Sequence, residues 1–436
     1  MAVSSPALRE AFAEIVGSGD VLDAPDVLDA HRVDGLRPRW IARPGTVDEV
    51  SRLMALAHVE RLAVLPRGSG SALALGNPPK RLDIVVDLRR LDAVTDYVPA
   101  DMVASVEAGI SLGTLARQLG EHGQMLALDP PGGSSRSIGG ILATNASGPL
   151  RFRYGTARDL TLGVRFVQAD GTVTWGGARV VKSVTGYDVP KLLVGSFGTL
   201  GIIVGATLRL HPKPPARGSW LLAWNAREAA QSFIAALIAS SLEPDRVIAL
   251  NEEAGRAYGC ADKKLALLVS IGSVTEAVSS QGEAMSGLAR AHGAEVRSVP
   301  GSCWEQLDAI LAGDVSFRLN SEPRRTVHWL GEVERLASGL DLRVLAVAQP
   351  GSGVMHAVVS DQISGTVLDQ GLFRPLRAGL APEGGSLVVE RAAADLKENF
   401  DVWGPISPDS QAIMSRLKAE FDPDGTLSPG RFVGGL

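Results

Sequence analysis

The residues best placed to do chemistry in this 436-residue chain are small ones. A short apolar run at 62–65 leads straight into Pro66-Arg67-Gly68-Ser69-Gly70-Ser71. Successive Gly and Ser after a strand leave consecutive backbone N–H groups exposed. Such a nest holds phosphate through amide partial charge alone, without a lysine. Leu73 stands where the third glycine of GxGxxG would be, and no GK[ST] follows, so neither a Rossmann nor a Walker loop is implied. A flexible surface loop is the competing reading of this segment by itself.

A second segment, 130–160, carries Gly132, Gly133, Gly139, Gly140 and Gly148. Ser134, Ser135, Ser137, Thr144, Asn145 and Ser147 lie between them. Small residues let a backbone press flat on a planar ligand, and hydroxyls and Asn145 can bond its polar edge. A loop this long is normally functional or disordered, and the apolar run 138–143 argues against disorder. A glycine-rich hairpin with solvent-facing serines is the alternative. In a third segment, Gly198 and Gly201 bracket Thr199-Leu200, and the turn delivers the backbone of Ile202 and Ile203 to where a ring edge would meet N–H and C=O groups.

These segments need elements to hold them. Thr46 and Glu49 have capping-box spacing, and Val47, Val50, Leu53, Met54 and Ala57 follow at helical period. Strands are expected at 84–88, 103–107 and 202–210, a helix capped by Ser111 with Leu112, Leu115 and Leu119 on one face, and a hairpin over 163–175 turned at Asp170-Gly171. Pro212, Pro214 and Pro215 mark 211–219 as a linker. Beyond it the pattern repeats. Strands at 219–224, 246–250, 265–271 and 295–299 enclose helices at 227–240 and 274–292. Strands at 314–319, 343–348, 354–360 and 386–391 then enclose helices at 325–338 and 362–380. Two tandem β-α-β-β-α-β units describe an antiparallel sheet covered by helices on one face. The tail is a short helix with Ile413, Met414 and Leu417, then an extended Gly/Pro segment that must lie against something else or fray.

Composition narrows the class. A length of 436 residues predicts two domains. Hydrophobic residues at 45% and charged residues at 21% describe a globular chain. A net charge of −5 argues against a general nucleic-acid binder. With Cys260 and Cys303 as the only cysteines, a disulfide framework and a cysteine-held zinc or iron–sulfur site are excluded within this chain. The N-terminal stretch has no secretory pattern and no window has a membrane-span pattern, so a cytoplasmic protein is expected.

Taken in order, PGTVDEVSRLMALA, PRGSGSAL, SIGGILATNASGPLRFRYGTARDLTLGVRFVQADG and VTGYDVPKLLVGSFGTLGIIVGATLRL resemble the FAD-linked oxidase family of the vanillyl-alcohol oxidase (PCMH) type. The resemblance runs over roughly residues 36–212 and returns in the tail, FDPDGTLSPGRF. Within that family the chain looks like the FAD-binding subunits of bacterial glycolate oxidases. The resemblance implies an α+β fold with a two-subdomain FAD-binding PCMH-type domain at 36–214 and an α/β cap at 215–409. A helical extension occupies 1–35, and 410–436 returns to the FAD domain. Flavin would lie between FAD domain and cap. Pro66, Arg67, Gly68, Ser69, Gly70 and Ser71 would cradle the FAD pyrophosphate. Ser137, Ile138, Gly139, Gly140, Thr144, Asn145, Ser147 and Gly148 would serve the isoalloxazine and ribityl region, Gly201, Ile202 and Ile203 the adenine side, and Gly132 is a further cofactor-binding candidate.

Two departures from the family pattern matter. No histidine lies between Pro66 and Gly76, so FAD is expected to be non-covalent. Relatives acting on D-2-hydroxy acids carry HxGDGNxH in the cap, whereas here the strand reads GSGVMHAVV with His356 alone, so no metal is expected.

Oxidising a 2-hydroxy acid needs a base for the hydroxyl proton and a cation for the carboxylate. His356 is the candidate base, against a core or surface histidine. Arg318 is the candidate clamp, against a surface salt bridge. Arg431 would reach flavin or substrate if the tail folds back. Tyr187 reads as a packing residue with a bonded hydroxyl. With no iron–sulfur or haem ligands, electrons must leave to dioxygen, a soluble acceptor or a partner. The resemblance favours a second flavin subunit and an iron–sulfur subunit, through which any inner-membrane association would run. The leading reading is an FAD-dependent oxidoreductase subunit acting on a small 2-hydroxy acid such as glycolate. The alternatives are a stand-alone oxidase of an alcohol or sugar acid using dioxygen, a flavin-binding non-catalytic assembly subunit, or a reductase of the cell-wall enolpyruvyl sugar type.

Overall fold

The computed structural model describes residues 5–178, 187–360 and 364–436. The chain folds as two compact units. One takes residues 1–147, 156–212 and 405–436, and the other takes 148–155 and 213–404.

The described residues of the first unit form two larger sheets and a two-stranded one. Strands β1 (Val21–Leu22), β2 (Trp40–Ala42), β3 (Val64–Arg67) and β4 (Ile84–Asp87) lie in the order β1-β2-β4-β3, with β2 and β3 both parallel to β4. The helix Val47–Val59 links β2 to β3 and buries Val50, Leu53, Met54 and Ala57. Thr46 Oγ1 caps it by accepting from the Glu49 amide at 3.2 Å, and the Glu49 carboxylate accepts from the Gly45 amide at 2.7 Å rather than from Thr46. The capping box therefore forms one residue wider than its spacing suggested.

The chain continues through β5 (Val94–Val98), β6 (Val103–Glu107), the short β7 (Gln124–Met125), β8 (Thr161–Val167), β9 (Val173–Gly177), β10 (Ile202–Arg209) and β11 (His211–Pro212). All but β7 and β11, which pair with each other, make a five-stranded antiparallel sheet in the order β5-β6-β10-β8-β9. The β8–β9 hairpin turns at Asp170-Gly171, as its Asp-Gly pair predicts, and Ser51 Oγ donates to Gly171 O at 2.6 Å to tie it to the helix Val47–Val59.

The tail belongs to this unit. After the helix Pro408–Phe421, the Val64 amide donates to Thr426 O and the Ser428 amide to Val64 O, both at 2.8 Å. Residues 426–428 thus add a rung beside β3, and Leu427 is wholly buried in the same core as Val64.

The second unit is one eight-stranded antiparallel sheet. Its strands are β12 (Ala216–Trp224), β13 (Arg246–Asn251), β14 (Leu265–Ser273), β15 (Glu295–Ser298), β16 (Val315–Asn320), β17 (Val344–Gln349), β18 (Val354–Val359) and β19 (Ser386–Arg391). The order β15-β12-β14-β13-β17-β18-β16-β19 is 4-1-3-2 followed by its mirror, 2-3-1-4, joined where β13 meets β17. The long helices Arg227–Ala239, Thr275–Ala291 and Thr326–Ser338 pack on one face, over Leu222, Val247, Leu267, Phe317, Ala346, Ala357 and Val389. On the other face a smaller cluster, including Leu221, Ile248, Leu268 and Val347, packs with Tyr258, Leu307 and Ile310.

Three expectations change. The linker expected at 211–219 is shorter, because β11 and the start of β12 occupy its two ends. The helix expected at 362–380 begins partly outside the described residues and is broken. It runs Gly365–Leu368, widens to a π turn over Asp369–Phe373, and resumes at Arg374–Leu380. Pro375 has no N–H to donate to the carbonyl four residues back, which accounts for the widening. Tyr187 is 96% exposed, so it is not the packing residue expected. Among the described residues no helix is long and apolar enough to cross a membrane.

Candidate functional site: a glycine-walled cleft and a polar sheet face

The first unit holds a cleft in two adjoining parts of about 540 and 410 Å³ that share Pro66, Arg67, Gly68, Ser137, Gly140 and Phe197 as walls. It opens beyond the carboxyl end of β3, where ligands of parallel sheets bind. One wall is the loop 68–73. The facing wall is the helix Ile138–Thr144, which sequence reasoning treated as loop because of its two glycines. Glycine inside a helix costs roughly 0.5–1 kcal/mol relative to alanine. Close packing demands it here, since a Cβ at Gly139 would fall 2.8 Å from the Ala108 Cβ.

Ser137 joins the two walls. Its Oγ accepts from the Gly140 amide as the helix cap and from the Ser69 amide of the loop, each at 3.3 Å. Arg67 ends β3 and bends back under the loop, and a Cβ at Gly70 would meet its Nε at 2.8 Å. The Arg67 Nε and Nη1 atoms are buried without a hydrogen-bond partner. Burial pushes the Arg67 guanidinium down, with Asp87 opposing and Arg89 reinforcing that shift.

The third wall is the turn at 195–198. Phe197 has φ +61°, costly for a bulky residue, and its amide donates to Ala143 O at 2.9 Å. Its ring stacks on Phe432 at 6.0 Å between centroids. Arg136 also lines the cleft and donates to Pro131 O at 2.8 Å and Thr144 Oγ1 at 3.2 Å. Arg431 lines it from the tail. It is 3% exposed, donates to Leu73 O at 2.8 Å and to Leu75 O, and lies 3.7 Å from Asp34. Burial pushes its guanidinium down to about 10, with Asp34 pulling the other way.

Of the other residues singled out from sequence, Gly201 and Ile203 line the cleft, whereas the Ile202 side chain is buried in the core beneath. Ile138 is buried at the start of the helix. Asn145 caps its end at φ +48°, with a buried Oδ1 that has no hydrogen-bond partner. Gly132 caps the turn Gly133–Ser135, and Ser147 Oγ accepts from the Ala157 amide at 2.9 Å. Gly148 belongs to the second unit.

On the second unit, the sheet face away from the long helices changes character between repeats. At the centre of the first repeat, Leu221 pairs with Leu268. At the centre of the second, Arg318 pairs with His356. His356 Nδ1 lies 2.9 Å from Glu390 Oε2 on β19, and Arg318 Nη1 lies 3.6 Å from Glu390 Oε1. Val354, Val358 and Val388 beside them are buried. Arg318 Nε is buried with no hydrogen-bond partner. Sequence reasoning singled out His356 and Arg318 but missed Glu390, Arg136 and Phe197. The alternation of Leu387, Val388, Val389 and Glu390 put Glu390 on one face of its strand, but nothing local shows that β19 lies beside β16.

Residues 38–177 match a family model described as FAD binding domain. The chain carries an FAD-binding domain. It is 24% identical over 418 residues to a glycolate oxidase subunit of Bacillus subtilis, covering 90% of this chain and 88% of that one. It is 28% identical over 433 residues to a D-2-hydroxyglutarate dehydrogenase of Xanthomonas citri pv. viticola, covering 90% and 89%. Among solved structures it superposes on p-cresol methylhydroxylase with substrate bound at a TM-score of 0.75 and 15% identity, covering 98% of this chain and 97% of that one. It superposes on alkyldihydroxyacetonephosphate synthase at 0.77 and 18%, covering 99% and 86%. The two superpositions show a shared fold, and the matched FAD-binding domain together with the two sequence relatives makes the chain an FAD-dependent oxidoreductase.

The FAD-binding domain suits its cofactor on its own chemistry. A diphosphate needs amides and cations, and the cleft is lined by the loop 68–71 and by Arg67, whose Nε and Nη1 are buried without a hydrogen-bond partner. Among the described residues, no group of three or more His, Cys, Asp and Glu side chains could hold a metal ion.

Proposed function

We propose that this chain oxidises a small 2-hydroxy acid such as glycolate to the 2-oxo acid and passes the electrons on to a partner protein. The carrying observation is the trio Arg318, His356 and Glu390 on one sheet face. The two relatives named above, a glycolate oxidase subunit and a D-2-hydroxyglutarate dehydrogenase, support the substrate class. FAD, when bound, supplies a two-electron acceptor.

The chain's own residues divide the remaining work. Arg318 is half-buried on this face, with its Nε lacking a hydrogen-bond partner, and a guanidinium is the side chain best suited to bind the planar carboxylate of the substrate. The His356 imidazole takes the hydroxyl proton of the substrate. Arg67 and the loop 68–71 hold the FAD diphosphate, and Ser137 keeps that loop against the helix Ile138–Thr144. Arg431 acts through the loop by fixing the Leu73 and Leu75 carbonyls. FAD is held non-covalently in this reading, since the segment from Pro66 to Gly76 contains no histidine. With only two cysteines the chain cannot supply the four thiolates of an iron–sulfur cluster, which favours an iron–sulfur partner or a second flavin subunit.

The test is anaerobic. Protein reconstituted with FAD is mixed with glycolate, both lactate enantiomers and D-2-hydroxyglutarate, and the flavin absorbance is followed. Bleaching by at least one acid is expected, and acid precipitation should release all flavin to the supernatant. If no acid bleaches the flavin, the substrate reading is wrong. Stoichiometric peroxide on admitting air would replace the partner with dioxygen.

A further inference from the structure

We infer that Glu390 is a positioning residue: by accepting from His356 Nδ1–H it fixes the imidazole tautomer that leaves Nε2 as the proton-accepting atom. The inference rests on the substrate reading above. An ionised carboxylate only accepts, so at 2.9 Å from Glu390 Oε2 the proton of a neutral His356 must sit on Nδ1. The lone pair is then on Nε2, the nitrogen not engaged by Glu390. The same carboxylate stabilises the imidazolium once Nε2 has taken the hydroxyl proton.

Three features of the sheet support this. The contact is long-range, since His356 and Glu390 sit on β18 and β19 with β16 between them, so helix or turn geometry does not force it. The setting is half-buried, with the His356 and Glu390 side chains 13% and 22% exposed, while Val347, which pairs with His356 in register, and Val354, Val358 and Val388 on the same face are buried. A hydrogen bond to a charged group is worth more there than in water. Finally, the first repeat fills the corresponding centre with Leu221 and Leu268, so the architecture does not require polar groups here. Burying them is costly unless they are paired, and an apolar sheet centre would be simpler to stabilise. Arg318 completes the set by placing Nη1 3.6 Å from the second Glu390 oxygen, which orients the carboxylate toward His356 while Arg318 Nε stays unpartnered.

The test uses full-length FAD-loaded protein labelled with ¹⁵N-histidine, with His356 assigned by its loss in His356→Gln. In the wild type at alkaline pH, His356 should be protonated on Nδ1. In Glu390→Ala that preference should be lost. Flavin reduction by the best 2-hydroxy acid should slow on the order of 100-fold, the low end of a general base's contribution, with KM little changed. Glu390→Asp should keep the Nδ1 proton and recover part of the rate. A wild-type His356 protonated on Nε2 overturns the inference whatever the variants do, so it stays decidable if Glu390→Ala fails to fold. An unchanged rate or tautomer in a folded Glu390→Ala overturns it equally. If the tautomer depends on Glu390 but no 2-hydroxy acid bleaches the flavin, the positioning contact stands and the substrate reading falls.

Discussion

Gly68 and Ser137 approach so closely that a Cβ on Gly68 would fall 1.9 Å from Ser137 Oγ. Rotating the Ser137 side chain does not relieve this fully, because Ser137 Cβ would itself lie 2.9 Å away. The loop and the helix Ile138–Thr144 therefore meet through a contact that only glycine permits at position 68.

Gly68→Ala should push the loop off the helix and empty the cleft of FAD. Overpacking of this kind typically costs about 1–3 kcal/mol. The ratio of flavin to protein absorbance should fall at least about tenfold if about 1.4 kcal/mol of that cost appears in FAD binding. Adding Ser137→Gly to Gly68→Ala should recover part of the loss, a coupling that independent sites would not show. A single variant that stays fully yellow would refute the close-contact argument.

Arg67 carries two buried donors with nothing to bond. Removing them should weaken FAD far more than it weakens the fold. A hydrogen bond to a charged partner contributes about 1.5–3 kcal/mol, so Arg67→Met should raise the FAD dissociation constant roughly 10- to 100-fold. Fluorescence titration of the apoprotein reads this directly. Equal affinity in Arg67→Met and wild type would mean that the diphosphate lies elsewhere.

The tail is held by a buried ion pair. Lys418 Nζ sits 2.5 Å from Asp422 Oδ2 and donates to Thr199 O and Leu427 O, each at 2.9 Å. Lys418→Met should leave Asp422 buried and uncompensated, a loss of about 3–5 kcal/mol seen as a lower Tm. The pH dependence carries a sign. Burial pushes the Lys418 ammonium below its ordinary range, opposed by Asp422. Between the folded and unfolded values the unfolded chain holds the extra proton, so this group's contribution to stability rises with pH. The gain is complete above the unfolded lysine value of about 10.4 and absent below the folded one. Denaturant midpoints between about pH 8 and 10 should therefore climb less in Lys418→Met than in the wild type. Parallel profiles would count against the assignment.

How far sequence reached depends on the range of the interaction. In the second unit, the strands other than β15 carry alternating or continuous apolar residues and each long helix a 3.6-residue stripe, so these strands and their covering helices were legible within a few residues. The five-residue helices Glu252–Arg256 and Gln306–Ile310 were not, because five residues are too few to show a period. In the first unit, Gly139-Gly140 read as loop, since the Ala108 contact that demands Gly139 comes from a segment some thirty residues earlier. Phe197's positive φ and Glu390's place beside His356 are likewise set by the docking of distant strands and turns. The loop 66–71 was legible because its residue types and its place after a strand are both local.

Arg318 gives the prediction that separates substrate binding from cofactor binding. It sits in the second unit, whereas every residue lining the FAD cleft sits in the first. Arg318→Leu should therefore leave flavin content and spectrum unchanged. It should also remove the donor offered to the substrate carboxylate and release Glu390 from its 3.6 Å contact. Losing one charge-assisted hydrogen bond predicts a KM raised roughly 10- to 100-fold for the best 2-hydroxy acid. Arg318→Lys should recover little, because an ammonium cannot present the planar fork that a carboxylate fits. Michaelis curves for both variants, taken with flavin occupancy matched to the wild type, decide it. An unchanged KM in Arg318→Leu would move the carboxylate site away from this sheet face and leave His356 and Glu390 without a neighbouring clamp.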